Sequence, residues 1–300
     1  QYAVYNPQFW EAYKRVNQKF CDAVLKVAKP GDTIWVHDYQ LMLLPQMIRE
    51  QLPDSSIGFF QHIPFPSYEV FRLLPWRKEL LEGMLGSDLI GFHTYDDMRH
   101  FLSSVNRILG YGGMHGWINT GNRSLLVDSF PMGIDYEKYA EVAASEKVLK
   151  LEKEYRKNVG TENIIISIDR LDYSKGLQDR FLGYRRFLEE HDQCQGKVFL
   201  LQIAPPSRGE VHTYEVIREE LDELSGRING EFAHVDWVPI RYVNQGYPRE
   251  ALAGFYRASD VALITPLRDG MNLVAKEYIA SQDPADPGVL ILSRFAGAAH

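Results

Sequence analysis

Cysteine is almost missing from this chain: two in 300 residues, Cys21 and Cys194, far apart and in no Cys-x-x-Cys spacing. That excludes a disulfide framework and a structural zinc, and it suits a reducing compartment, read here as the cytoplasm. No apolar run approaches the roughly 20 residues needed to cross a membrane, and no signal peptide is seen. Basic charge is also short. The net charge is −7, with no Lys/Arg run and no aromatic-basic stripe, so neither nucleic acid nor a membrane is an expected partner. An anionic small molecule would have to be held by local cations and backbone amides, against the overall field. Several motifs are absent too. No Asp-x-Asp occurs, which removes the usual cue for a metal-bound nucleotide-sugar, and no metal site is expected. There is no Walker A sequence, and the glycines at 110–116 do not fit Gly-x-Gly-x-x-Gly. No Gly-x-Ser-x-Gly elbow is present.

What is there is a soluble globular composition, 45% apolar and 24% charged, with room for two domains. Pro131-Met132-Gly133-Ile134-Asp135 reads as the exit from the first, which gives domains at 1–134 and 135–300. The chain starts at Gln1, without Met, and its last residues would open another helix. It reads as a segment excised from a longer protein.

Periodicity sets the elements. Helices are expected over residues 7–28, 41–50, about 67–85 and 95–109, with strands at 33–36, 57–61, 88–93 and 125–130. The segment 110–124 holds five glycines and reads as a mobile loop. A charged helix over 136–157 follows. Then strands at 164–168, 198–203, 235–238, 261–265 and 289–292 alternate with helices from 177, at 211–225, 248–257 and 273–281. Apolar strands alternating with helices imply an α/β protein with parallel sheets covered on both faces. Ligands of such sheets bind beyond the carboxyl ends of the strands, and the polar clusters of this chain all follow strands.

The chain is organised around Pro266-Leu267-Arg268-Asp269-Gly270-Met271-Asn272-Leu273-Val274-Ala275-Lys276-Glu277. It links an apolar strand to a helix through an Asp-Gly turn, with Asn272 placed to cap the helix. The N–H groups of Leu273 and Val274 then have no intrahelical acceptor and form an anion site with the helix dipole. Glu277, four residues after Leu273, lies on the same face and can accept from a sugar diol.

Other clusters carry two readings each. Arg170 and Lys175 sit on one strand-to-helix loop and could neutralise a diphosphate; alternatively, Arg170 pairs with Asp169 or Asp172. Arg208, in Ala204-Pro205-Pro206-Ser207-Arg208-Gly209, either binds a second phosphate or is a solvated loop cation. His37, ending a buried strand, reads as a core histidine. Asp38 and His62 would face the opening, where acid/base work is conceivable, and Ile63-Pro64-Phe65-Pro66 would stiffen His62. Asp96-Asp97 reads as compensation of a helix dipole.

Taken together, Val36-His37-Asp38-Tyr39, Gly58-Phe59-Phe60-Gln61-His62-Ile63-Pro64-Phe65-Pro66, Arg170-Leu171-Asp172-Tyr173-Ser174-Lys175-Gly176, Ala204 to Gly209, Leu267 to Glu277 and Asp283-Pro284-Ala285-Asp286-Pro287-Gly288 resemble the trehalose-6-phosphate synthases. The resemblance runs in order over nearly the whole chain. It implies a GT-B glycosyltransferase, two Rossmann-like domains facing across a cleft. Such an enzyme moves glucose from UDP-glucose to glucose 6-phosphate with retention; UDP-glucose is a substrate, and no cofactor is implied.

By the same resemblance, His62, Asp269, Arg170 and Lys175 form the catalytic set. Arg170 and Lys175 take the donor diphosphate with the amides of Leu273 and Val274, and Glu277 takes the ribose. Asp269, Gly270, Met271 and Asn272 grip the donor glucose, with Ala275 and Lys276 in the same segment and Tyr247 by the uracil. Asp38 and Arg208 belong to the acceptor, and the leaving diphosphate itself accepts the acceptor proton. The family's Gly-rich loop and an upstream Arg, Tyr and Trp would precede Gln1. A homo-oligomer and a phosphatase domain in the parent chain are left open. Two rival readings stand beside this one: a relative using another phosphorylated acceptor such as glycerol 3-phosphate, and a non-catalytic sugar-phosphate-sensing domain.

Overall fold

Strands and helices alternate much as the apolar runs predict in a computed structural model that describes residues 4–160, 163–206 and 212–299. The chain divides into two units, with the break between Met132 and Gly133. The first contains α1 (Pro7–Val27), β1 (Thr33–His37), α2 (Leu44–Gln51), β2 (Ser56–Phe60), α3 (Tyr68–Phe71) and α4 (Arg77–Met84). It continues with β3 (Leu89–Phe92), α5 (Tyr95–Leu109), β4 (Trp117–Asn119) and β5 (Ser124–Ser129). The sheet order is β1-β2-β3-β5-β4. All its pairings are parallel except β4 with β5. Ile48, Phe59, Leu81, Ile90, Phe92, Phe101 and Val127 are fully buried in one core, as expected for a sheet with helices packed on it.

The second unit contains α6 (Tyr136–Ala143), α7 (Glu146–Val159), β6 (Asn163–Ile168), α8 (Leu177–Glu190), β7 (Val198–Ile203) and α9 (His212–Phe232). It ends with β8 (Ile240–Val243), α10 (Arg249–Ala258), β9 (Val261–Ile264), α11 (Leu273–Ser281) and β10 (Val289–Leu292). Its five strands are all parallel, in the order β10-β9-β6-β7-β8. Every residue of β7 is buried. Phe199, Leu201 and Ile203 enter one core cluster while Leu200 enters the other, the period-two signature of a strand covered on both faces.

Three expectations need correction. Residues 110–124 are not all loop, because Trp117–Asn119 pair antiparallel with β5 as an edge strand. The helix expected over 136–157 is two helices: Ser145 leaves the helical region and accepts a hydrogen bond from Val148 N–H as the cap of α7, since a serine oxygen competes for backbone donors. The strand expected at 235–238 lies further on, at Ile240–Val243. The earlier apolar residues form a turn bridged from His234 to Trp237, with Val235 fully exposed.

Candidate active site

The 170–176 loop leaves β6 and the 266–272 turn leaves β9. These strands are neighbours although β7 and β8 intervene in sequence. They flank the place where the strand order reverses, the usual ligand crevice of a doubly wound sheet. The two loops are bonded to each other. Leu267 N–H donates to the Ser174 carbonyl at 2.8 Å, and Lys175 Nζ lies 2.5 Å from Asp269 Oδ2. Gly176 makes this approach possible: it has φ +63, and a Cβ there would stand 2.7 Å from the Thr265 carbonyl oxygen.

Asn272 adopts φ 77, ψ 86 and caps α11, its Oδ1 accepting from Ala275 N–H at 3.0 Å. Its Nδ2 donates to Asp269 Oδ2 at 3.0 Å, so one carboxylate oxygen joins lysine, cap and turn. The turn is pinned from behind by Asp269 N–H to the Phe295 carbonyl and Ala298 N–H to the Met271 carbonyl. Met271 and Gly270 are buried. Among the described residues no acceptor takes the N–H of Leu273 or Val274, as the capping argument requires.

Arg170 is exposed, and the carboxylates expected to compete for it are engaged elsewhere. Asp169 stands 2.8 Å from Arg180 Nη1, with both side chains inaccessible to solvent. Asp172 accepts from Ser174 and from the Tyr214 hydroxyl. The salt-bridge reading of Arg170 is therefore set aside. Burial pushes the Asp169 carboxyl up and the Arg180 charge opposes it.

Arg180 also bonds Thr265 Oγ1, Gln202 Oε1 and the Lys175 carbonyl. One guanidinium thus ties the ends of β6, β7 and β9 to the loop that carries Lys175. Sequence reasoning missed it, although Arg180 shares a helical face with Leu177, Phe181, Tyr184 and Leu188, all buried.

Glu277 was expected to accept from a sugar diol. The structure gives each of its oxygens a tyrosine: Tyr139 donates to Oε1 at 2.8 Å and Tyr256 to Oε2 at 3.2 Å. Each carboxylate oxygen accepts twice, so one site per oxygen remains. Burial and then the carboxylate raise the Tyr139 pKa; both tyrosines stay protonated donors. Tyr247, beyond β8, accepts from Gln245 Nε2 at 2.6 Å and sets its ring edge-on to Phe255. Lys276 is half-buried and Ala275 is buried in the core. Arg208 lies outside the described residues.

In the first unit the candidates lie at the carboxyl ends of β1 and β2. Asp38 has φ 69 and ψ 172, a region otherwise occupied almost only by glycine, at a cost of about 1–3 kcal/mol. Its Oδ1 accepts from the N–H groups of His62 and Ile63 at 3.1 and 3.4 Å. Three non-glycine residues among those described have positive φ, and two of them are Asp38 and Asn272. Strain of this kind clusters at functional sites.

His37 is not a core residue. It is exposed, and its Nδ1 lies 3.0 Å from His62 Nε2. Burial and then the neighbouring His37 pull the His62 pKa down, with Asp38 opposing. Asp97 does more than offset a helix dipole: it is buried and accepts from Phe65 N–H at 2.9 Å, anchoring the segment after His62. Among the described residues no three His, Cys, Asp or Glu side chains are placed to hold a metal ion. None of the described helices is long and apolar enough to cross a membrane.

Two sheets, the first parallel but for its β4 edge and the second parallel throughout, each with its polar groups gathered at strand carboxyl ends, define a pair of Rossmann-like domains of the GT-B type. Residues 2–300 match the glycosyltransferase family 20 model, and the chain belongs to that family. It is 46% identical over 300 residues to the bifunctional trehalose-6-phosphate synthase/phosphatase of Thermoproteus tenax, covering 99% of this chain and 41% of that one. It is 47% identical over 297 residues to the UDP-forming alpha,alpha-trehalose-phosphate synthase of Pichia angusta, covering 97% and 62%.

Among solved structures, the UDP-forming synthase of Burkholderia xenovorans in complex with glucose-6-phosphate superposes with a TM-score of 0.94 at 42% identity, covering 99% and 66%. An E. coli chain bound with UDP-2-fluoro glucose gives 0.92 at 43%, with the same coverage. The chain therefore spans less than two thirds of the length of the relatives it matches.

Proposed function

We propose that the protein containing this chain transfers glucose from UDP-glucose to glucose 6-phosphate with retention, giving α,α-trehalose 6-phosphate and UDP. The observation that carries the reading is the Lys175–Asp269–Asn272 constellation at the mouth of α11, beside two amides with no acceptor among the described residues and the tyrosine-held Glu277. It offers cation and N–H donors to a diphosphate and carboxylates to hydroxyls, which is what a nucleotide-sugar presents. Relatives over 40% identical that bear the same synthase name support the choice of sugar and acceptor.

On this reading Arg170 and Lys175 take the diphosphate with the amides of Leu273 and Val274. Glu277 takes the ribose, Asp269 to Asn272 take the donor glucose, and Tyr247 lies at the base. Asp38, Arg208 and His62 serve the sugars. The domain assignment, acceptor side to residue 134 and donor side from 135, is part of the same proposal. Positioning and charge stabilisation supply the rate, and the leaving diphosphate accepts the acceptor proton.

The test is to supply the full-length protein with UDP-glucose and either glucose 6-phosphate or glycerol 3-phosphate, and to identify the product by mass and by its glycosidic proton coupling. Trehalose 6-phosphate formed with the first acceptor alone, and undiminished by EDTA, is the expected result. Product only with glycerol 3-phosphate, or from neither, overturns the assignment.

A further inference from the structure

The His37–His62 pair is not accounted for by any role given above, and its geometry is specific. β1 pairs with β2 so that His37 stands opposite Phe60. His62, two residues on, is then the diagonal neighbour on the same side of the sheet. Trp35, two residues before His37 on its strand, packs against the His37 ring at 4.4 Å between centroids. Phe60 does the same for His62 at 4.8 Å, and the His93 ring, at the end of β3, stands edge-on to it at 5.5 Å. Gly91 gives Phe60 its place, since a Cβ there would fall 2.7 Å from the Phe60 ring. The main chain of His62 is fixed independently by the strained Asp38 and, beyond the Pro64 turn, by Asp97.

The pair itself consists of Nδ1 of His37 and Nε2 of His62 at 3.0 Å. A hydrogen bond between two imidazoles needs one bare nitrogen and one N–H. While it holds, Nε2 of His62 is spoken for and the ring cannot turn over. His62 Nδ1 has no partner among the described residues. We infer that His37 is a positioning residue: it occupies Nε2 of His62 and so leaves Nδ1 as the nitrogen His62 offers to a sugar hydroxyl. The sugar in that statement rests on the proposed function; the pairing of the nitrogens does not.

Two substitutions separate the bond from the packing. His37→Phe keeps an aromatic ring between Trp35 and His62 but removes the nitrogen. His37→Asn places an amide where Nδ1 stood. In the full-length protein with 15N-labelled histidine, above the pH at which imidazoles protonate, the wild type should show a nitrogen–nitrogen coupling across the bond between His37 Nδ1 and His62 Nε2. In His37→Phe that coupling should vanish and the His62 Nε2 signal should shift as its partner is lost, and in His37→Asn the Nε2 signal should move back. Synthase kcat should fall about tenfold in His37→Phe, the value of one neutral hydrogen bond. The KM for glucose 6-phosphate should be little changed, and His37→Asn should recover most of the kcat.

His62 nitrogen shifts unchanged by His37→Phe would overturn the pairing. Shifts that move while kcat does not would overturn the positioning role. Should the wild-type protein form no trehalose 6-phosphate, the proposed function fails, and the nitrogen signals still decide whether His37 occupies Nε2 of His62.

Discussion

Lys175 and Asp269 neutralise each other in this structure, at 2.5 Å and with 12% and 17% of their side chains exposed. A diphosphate entering the site must take Lys175 from Asp269, whereas exposed Arg170 has no such partner among the described residues. Arg170→Ala should therefore weaken UDP binding by about 1.5–3 kcal/mol, the range for a hydrogen bond to a charged group. Lys175→Ala should cost more, because it also strands the Asp269 carboxylate beside an incoming anion. Adding Asp269→Asn to Lys175→Ala should then recover part of the loss. Calorimetric titration with UDP measures all three. Equal affinity in wild type and both single variants would remove the diphosphate from this loop, and no recovery in the double variant would remove the repulsion argument.

At the scale of elements, α8 is the piece whose failure would spread furthest. Arg180 carries a buried charge whose partners are Asp169 beyond β6, Gln202 on β7 and Thr265 beyond β9. Breaking a buried pair from one side leaves the other charge unpaired, at about 3–5 kcal/mol. Arg180→Met should lower the stability of the second unit by that amount in chemical denaturation. Arg180→Met with Asp169→Leu should be less destabilised than Arg180→Met alone. Additive losses would mean that the two charges are not coupled.

The same helix shows what could be read from sequence. Leu177, Phe181, Tyr184 and Leu188 repeat at helical spacing, so the helix and its buried face were legible, and the loop before it was legible from its Arg and Lys. The partners of Arg180, and the tyrosines that hold Glu277, lie up to 138 residues away along the chain. Local spacing carries no trace of them. The misplaced strand at 235–238 has a similar cause. Val235 and Val238 look like strand residues, but β8 is fixed by pairing with β7, where Ile240 meets Leu200. The cap at Asn272 was legible for the opposite reason: both bonds of the Asn272 side chain reach residues three positions away.

For the whole molecule, the proposed assignment divides labour unevenly. Every group assigned to the nucleotide, from Arg170 and Lys175 to Tyr247 and the 269–277 segment, lies after the break at Gly133. Within that unit the groups come from loops beyond β6, β8 and β9 of one sheet. UDP should therefore leave a local mark in amide hydrogen exchange on this chain. Leu273 and Val274 have no acceptor among the described residues, so their amides have the most protection to gain from a phosphate oxygen. The 170–176 loop and the first turn of α11 should slow with them.

Binding also stabilises whatever unit holds the ligand, by about 2.7 kcal/mol at a hundredfold excess over Kd, so slow core amides of β6, β7 and β9 should respond as well. Strands β1 to β3, with His37, Asp38 and His62 at their ends, should keep their free-state rates, since nothing assigned to the nucleotide lies there. Protection appearing first around His62, with Leu273 and Val274 unchanged, would transfer the nucleotide to the other unit. The roles of Arg170, Lys175 and Glu277 would then have to be abandoned together.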